Sequence, residues 1–292
     1  MLRSTKDLEG YAIQATDGTI GHVKDFYFDN EMWVIRYLIV DTGTWLESRE
    51  VLISPIAIGQ PNWEENVLSV TLTKAQVKNS PDIDTDKPVS RQHEIHYFGY
   101  YGYPFYWGGT GLWGTEIYPN MMMLGYAGLI ATPPVEQPEV EQAESTEHQD
   151  EDPHLHSCDA IVNYHIMATD GDIGHVQGML VDEETWAIRY LIVDTSNWWL
   201  GHQVLIAPQW IEGVSWHDTT VSVSLTRQEV KDAPPYDAAV PLDRDQEFGI
   251  FKHYGRPGYW AGDVKHAAGN HTIRSASKVA AKPQERNDHV KL

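Results

Sequence analysis

The chain repeats itself, and no other feature narrows what it can fold into so far. Thr16-Asp17-Gly18, Ile20-Gly21-His22-Val23 and Trp33 return as Thr169-Asp170-Gly171, Ile173-Gly174-His175-Val176 and Trp186, at a constant offset of 153. Ile35 to Thr42 returns unchanged as Ile188 to Thr195, Trp45 as Trp198, and Val51-Leu52-Ile53 with Pro55 as Val204-Leu205-Ile206 with Pro208. From Thr16 to Pro55, 23 of 40 positions are identical without a gap. The offset still holds at Leu72 and Leu225, Pro81 and Pro234, Arg91 and Arg244, and Tyr101-Gly102 and Tyr254-Gly255. A repeat this long is a whole domain rather than a solenoid unit, and 292 residues hold two such domains with room for linkers.

One copy reads as mostly β. Asp17-Gly18 between two apolar runs is a tight-turn signal that opens the domain with a hairpin. Trp33 to Asp41 is rich in β-branched and aromatic residues and apolar on both alternating faces apart from Arg36, which predicts a central strand covered on both sides. Alternation slips between Val23 and Phe28, so a bulge that bends the sheet is expected there. Val51–Ile53 and Val67–Leu72 supply two shorter strands. Thr73 to Gln76 and Thr226 to Glu229 have capping-box spacing and start a short helix that ends near Pro81 and Pro234.

The order Asp-Gly, Ile-Gly-x-Val, a turn, Ile-Arg-Tyr-Leu-Ile-Val-Asp, then Val-Leu-Ile-x-Pro resembles the PRC-barrel family over roughly residues 10–81 and 163–234. That family includes the cytoplasmic part of the photosynthetic reaction-centre H subunit and the C-terminal domain of the ribosome-maturation factor RimM. The resemblance implies two small PRC-type β-barrels in tandem and brings no catalytic residues with it. The expected layout is a first barrel with an aromatic arm over 1–110, a Gly/Met-rich and then acidic linker over 111–158, a second barrel over 159–262 and a basic disordered tail over 263–292.

The arm is the candidate interaction surface. From Tyr97 to Trp107 eight of eleven residues are aromatic, and the interspersed glycines with Pro104 predict an irregular segment. Tyr97, Tyr100, Tyr101, Tyr103, Phe105, Tyr106 and Trp107, with Tyr254, Tyr259 and Trp260 of the leaner second arm, either cover a barrel face or form a docking surface. Arg36 and Arg189 are expected to pair with Asp29 or Asp41 and Asp182 or Asp194. His22 and His175 read as structural histidines that could carry protons. Trp33, Trp45, Trp186 and Trp198 read as core or rim aromatics.

Charge narrows the partners. Forty-two acidic against 21 basic side chains leave −21, so nucleic acid is not expected and basic or neutral proteins are. No Lys or Arg occurs between Arg91 and Arg189, whereas residues 264–292 carry six against Glu285 and Asp288. Such an arm could bind anions or lie on its own acidic body. His154, His156 and Cys158 are metal-type ligands without a fourth, so no metal or cofactor is expected. A lone cysteine, and a start without the apolar core of a secretory signal, point to the cytoplasm. No stretch of eighteen apolar residues is present to span a bilayer, and peripheral attachment to the inner membrane stays open. Nothing places a nucleophile, base and orienting group together. The expectation is a non-enzymatic adaptor or assembly module, with pairing to a second copy open; the alternative is a peripheral, H-subunit-like component of a photosynthetic membrane electron-transfer complex.

Overall fold

The computed structural model describes residues 1–83, 89–123, 153–195 and 202–260. Most of the acidic linker (124–152), Trp198 and the basic tail lie outside them. The chain divides into two units, residues 1–241 and residues 242–292. The first holds both copies of the repeat.

In order, the first copy contributes β1 (Leu2–Ser4), β2 (Ala12–Ala15), β3 (Gly18–Asp29), β4 (Val34–Asp41), β5 (Glu50–Ile53), β6 (Val67–Ser69) and the short β7 (Val89–Ser90). The second contributes β8 (Pro153–Ser157), β9 (His165–Ala168), β10 (Gly171–Asp182), β11 (Ile188–Asp194), β12 (Gln203–Ile206), β13 (Ile211–Ser215) and β14 (Thr220–Val223). One sheet runs β5-β4-β3-β2-β6 and the other β12-β11-β10-β9-β14-β13. Both are mixed, because β2 pairs with β6 and β9 with β14 in parallel.

The expected elements are present. The hairpin opens each copy, with Ala15 opposite Gly18 and Ala168 opposite Gly171. Gly18 and Gly171 sit at φ +137° and +135°, where a Cβ would be strained. β4 is central and buried along seven of its eight residues. The slip in the pattern is a bulge: register shifts between Val23 and Asp25 in β3, and between Val176 and Gly178 in β10. It lets one 12-residue strand bend around the core and change neighbours along its length. The sheet curls further where the 3-10 turn Pro55–Ala57 returns the chain to β6, Ile58 bridging Val70. Both capping boxes form, Thr73 with Gln76 and Thr226 with Glu229.

One arrangement has no counterpart in the sequence reading: the copies exchange their first strands. β1 pairs with β10 of the second copy, with Leu2, Arg3 and Ser4 opposite Asp182, Val181 and Leu180. β8 pairs with β3 of the first, with Leu155, His156 and Ser157 opposite Asp29, Phe28 and Tyr27. Shifted by 153, the two registers are the same. Between them Val34 bridges Ala187, which is its own equivalent in the repeat. A residue that meets its counterpart marks a two-fold axis, here a pseudo-axis within one chain. Beside it Ile35 N–H donates to Trp186 O (2.8 Å) and Ile188 N–H to Trp33 O (2.7 Å). Trp33 and Trp186 hold left-handed φ values of 55° and 59°, and the seam fixes a conformation that costs an L-residue roughly 1–2 kcal/mol. Thus residues 153–158, read as the end of a linker, are a sheet strand and the first turn of the helix Cys158–Ile161.

Candidate functional site

The aromatic arm starts as a helix, not as irregular chain. Arg91–Tyr101 is helical, N-capped by Ser90, whose Oγ accepts from His93 N–H, and ended by Gly102 at φ +66°. A single interior glycine, Gly99, costs a helix only about 1 kcal/mol, and burial of Tyr97 and Phe98 on one face offsets it. The ten candidate residues therefore divide. Tyr97 (1% exposed), Tyr106 (4%) and Tyr254 (6%) are interior. Tyr101, Tyr103, Trp107, Tyr259 and Trp260 are half-buried, and Tyr100 and Phe105 are open to solvent.

Glu94 organises the inward half. Its fully buried carboxylate receives Arg91 Nη1 at 3.0 Å, His154 Nε2 at 2.6 Å, Tyr37 OH at 3.1 Å and Tyr106 OH at 2.8 Å. A buried charge is tolerable when donors surround it so closely. His154 belongs to β8, so this cluster also fastens the exchanged strand. Burial, reinforced by Glu94, pushes the Tyr37 and Tyr106 hydroxyls well above their ordinary range, which keeps both protonated donors. Tyr97 OH donates to Leu52 O and accepts from Ser54 N–H, both at 3.1 Å, which binds the helix to β5.

From Pro104 the chain becomes a strut that reaches across the seam. Gly111 and Trp113 make a tight turn with Gly114 and Glu116, Gly111 N–H donating to Gly114 O at 2.7 Å. A Cβ on Gly109 or Gly111 would lie 2.1 or 2.4 Å from backbone atoms of this turn. Only glycine fits there, which explains the Gly-Gly-Thr-Gly-Leu-Trp-Gly run. The turn drives Trp113 inward, 1% exposed, where Nε1–H donates to Thr185 O of the second copy at 2.8 Å. Arg36 completes the footing: Nη1 donates to Leu112 O at 2.6 Å, Nη2 pairs with Asp29 at 3.1 Å, and the guanidinium lies over Tyr106 (3.8 Å) and Trp113 (4.8 Å). Arg36 thus pairs with Asp29 of the two expected partners, and Arg189 with Asp182 at 3.8 Å. Sequence reading placed Trp113 in the linker; the glycine run was the signal for a forced turn.

Outside this knot the strut presents apolar groups to solvent. Phe105 (45% exposed) stacks on Trp107 with centroids 4.4 Å apart, and Tyr118 (39%), Met121 (42%) and Met123 (38%) follow. A cleft of about 490 Å³ opens between Pro55–Pro61, Tyr118–Met121 and Glu183, Glu184 and Trp186. A second, of about 280 Å³, lies among Phe105, Trp107, Trp113, Glu116 and Met122.

The remaining candidates have local partners. His156 stacks on Trp216 at 3.5 Å, as its equivalent Arg3 lies over the equivalent Trp63 at 3.9 Å. Cys158 is buried, and desolvation pushes its thiol up. His22 faces Asp41 across β3 and β4, and His175 is 4.0 Å from Asp194. Trp45 Nε1–H donates to Ile20 O, under the Lys74 ammonium. Asp25 on β3 accepts from the Ser157 hydroxyl and Asp159 N–H (3.2 Å), and burial raises its carboxyl to about 6. Among the described residues no group of three or more His, Cys, Asp or Glu could hold a metal ion, and no helix is long and apolar enough to cross a membrane.

In the second unit the helix Arg244–His253 repeats the pattern by itself. Arg244 Nη1 pairs with the buried Glu247 at 3.0 Å, Tyr259 OH donates to Glu247 at 2.8 Å, and Trp260 packs on Phe251 and Phe248. Arg244, Glu247, Phe251, Tyr259 and Trp260 correspond to Arg91, Glu94, Phe98, Tyr106 and Trp107 at the same offset.

Residues 3–76 match the PRC-barrel domain family. A protein of Deinococcus radiodurans, described only as uncharacterized, is 37% identical over 73 residues. Those residues are 25% of this chain and 26% of that protein, so the match spans about a quarter of the relative's length.

Proposed function

We propose that this chain, whose residues 3–76 are a PRC-barrel domain, is a non-enzymatic protein-interaction module that holds partners of an assembly in a fixed geometry. The observation that carries the reading is the strut. Phe105, Tyr118 and Met121 are exposed apolar groups mounted on a frame of buried Arg36, Tyr106 and Trp113. Exposed apolar clusters mark contact surfaces, and a backbone held by a buried frame loses little freedom on binding. The reading assigns no catalytic role, cofactor or metal. Its partners are proteins, basic or neutral, because the chain carries −21.

A second reading draws on the same exposed aromatics, which also suit a bilayer interface. It makes the chain a peripheral component of a photosynthetic membrane electron-transfer complex on the cytoplasmic side, as the resemblance to a family that includes the H-subunit domain would imply. Affinity capture of the tagged full chain from host lysate, divided into soluble and membrane fractions, separates the two. Soluble proteins retained by the wild type and lost with Phe105→Ser/Tyr118→Ser/Met121→Ser would support the first reading. Specific recovery of membrane electron-transfer subunits would support the second. Equal recovery by wild type and triple variant would remove the strut from the argument.

A further inference from the structure

The stretch of the strut from Phe105 to Met123 combines three properties that together define a partner. The first is methionine: Met121 and Met123 stand out on either side of buried Met122 where residues 119–123 turn helical. Met121 lines the larger cleft and Met122 the smaller, so both open on the same helical turn. Thioethers are flexible and polarizable and adapt to varied apolar side chains. The second is aromatic: exposed Tyr118 lines the first cleft and Phe105 the second.

The third is charge. Glu183 and Glu184 line the larger cleft and Glu116 the smaller, and among the described residues no lysine or arginine lines either. Glu183 is engaged by Arg3 at 2.8 Å, whereas Glu184 is exposed. Apolar anchors with an acidic rim fit an amphipathic helix that carries an apolar stripe and basic flanks. A neutral partner would gain nothing from the rim, and an anionic lipid surface would be repelled by it.

We propose that this methionine-tipped acidic face docks an amphipathic basic helix of a partner protein. Its apolar stripe sits on Phe105, Tyr118, Met121 and Met123, and its lysines or arginines reach Glu116 and Glu184. The proposal rests on the protein-interaction reading above and adds the place and the chemistry of the partner.

The test uses the full chain labelled with 13C-methyl methionine, which supplies seven resonances. The probe is a peptide of about eighteen leucines and lysines, five turns of helix, patterned with one apolar stripe. The expected result is that Met121, Met122 and Met123 shift while Met32, Met167 and Met179 do not. Glu116→Lys/Glu184→Lys should weaken binding at least about tenfold; Glu212→Lys/Asp218→Lys, the same charge change at exposed sites outside both clefts, should weaken it far less. Equal weakening by the two pairs would mean general attraction to an acidic body and would overturn the site. Shifts at Met32, Met167 or Met179 would overturn it while leaving the interaction reading standing; Met1, whose amino group is 3.3 Å from Glu183 at the larger cleft, is not a control. Absence of peptide binding would also overturn it, and capture of partners through the strut would then judge the broader reading separately. Shifts at Met121–Met123 caused by phosphatidylcholine vesicles but not by the peptide would assign the face to a membrane.

Discussion

Gly21 and Gly174 explain at the residue scale why Ile-Gly-His-Val recurs. A Cβ on either would stand 1.9 or 2.1 Å from the carbonyl oxygen of Asp41 or Asp194 on the next strand. Gly21→Ala must push β3 off β4. It should cost about 1–3 kcal/mol, read as a lower urea midpoint with an unchanged slope. Asp25 makes a different prediction. Its folded carboxyl titrates at about 6 against an ordinary 3.8, chiefly because it is desolvated. Between those values the folded chain holds a proton that the unfolded chain has released, so this group's contribution falls as pH rises through the window. The loss amounts to roughly 3 kcal/mol by pH 7. Asp25→Asn should flatten stability against pH between 4 and 6, as measured by urea unfolding at several pH values; an unchanged slope would show that Asp25 is hydrated.

At the scale of elements the exchanged strands matter most, because each fastens one copy to the other. β8 is held to the first copy by its ladder with β3, by His154 on Glu94, and by Ser157 on Asp25. The helix that follows buries Cys158, and desolvation keeps its thiol protonated. Buried thiols react only when the structure opens. Labelling of Cys158 by a disulfide reagent should therefore be slow in the native chain. Glu94→Gln, which removes the charge that holds His154, should accelerate it severalfold without abolishing the fold. Rapid labelling of the wild type would show that β8 is not seated. Helix Arg91–Tyr101 teaches a related lesson: glycines and prolines predicted an irregular arm, yet burial of Tyr97 and Phe98 outweighed the local cost of Gly99.

For the whole molecule, strand exchange changes what the linker is for. Barrels that merely shared a tether would part when it was cut. Here β1 and β8 cross in opposite directions and Val34 meets Ala187. A protease site inserted within residues 124–152 and cleaved to completion should give two fragments that elute together in gel filtration and part only on unfolding; separate elution would overturn the exchange. Much was legible in the sequence alone. The duplication, the opening hairpin, the bulge after Val23, the buried central strand and both capping boxes are local: turn chemistry, alternation and capping act within a few residues, and the sequence states them directly. The pairing of Arg36 with Asp29 was also within reach. Which copy receives β1, why Trp113 turns inward and which arm residues stay exposed were decided only in three dimensions. An exchanged strand carries the same alternation and hydrogen-bonding groups as one that stays at home, so the choice between the equivalent edges of β3 and β10 rests on the pseudo-two-fold seam as a whole.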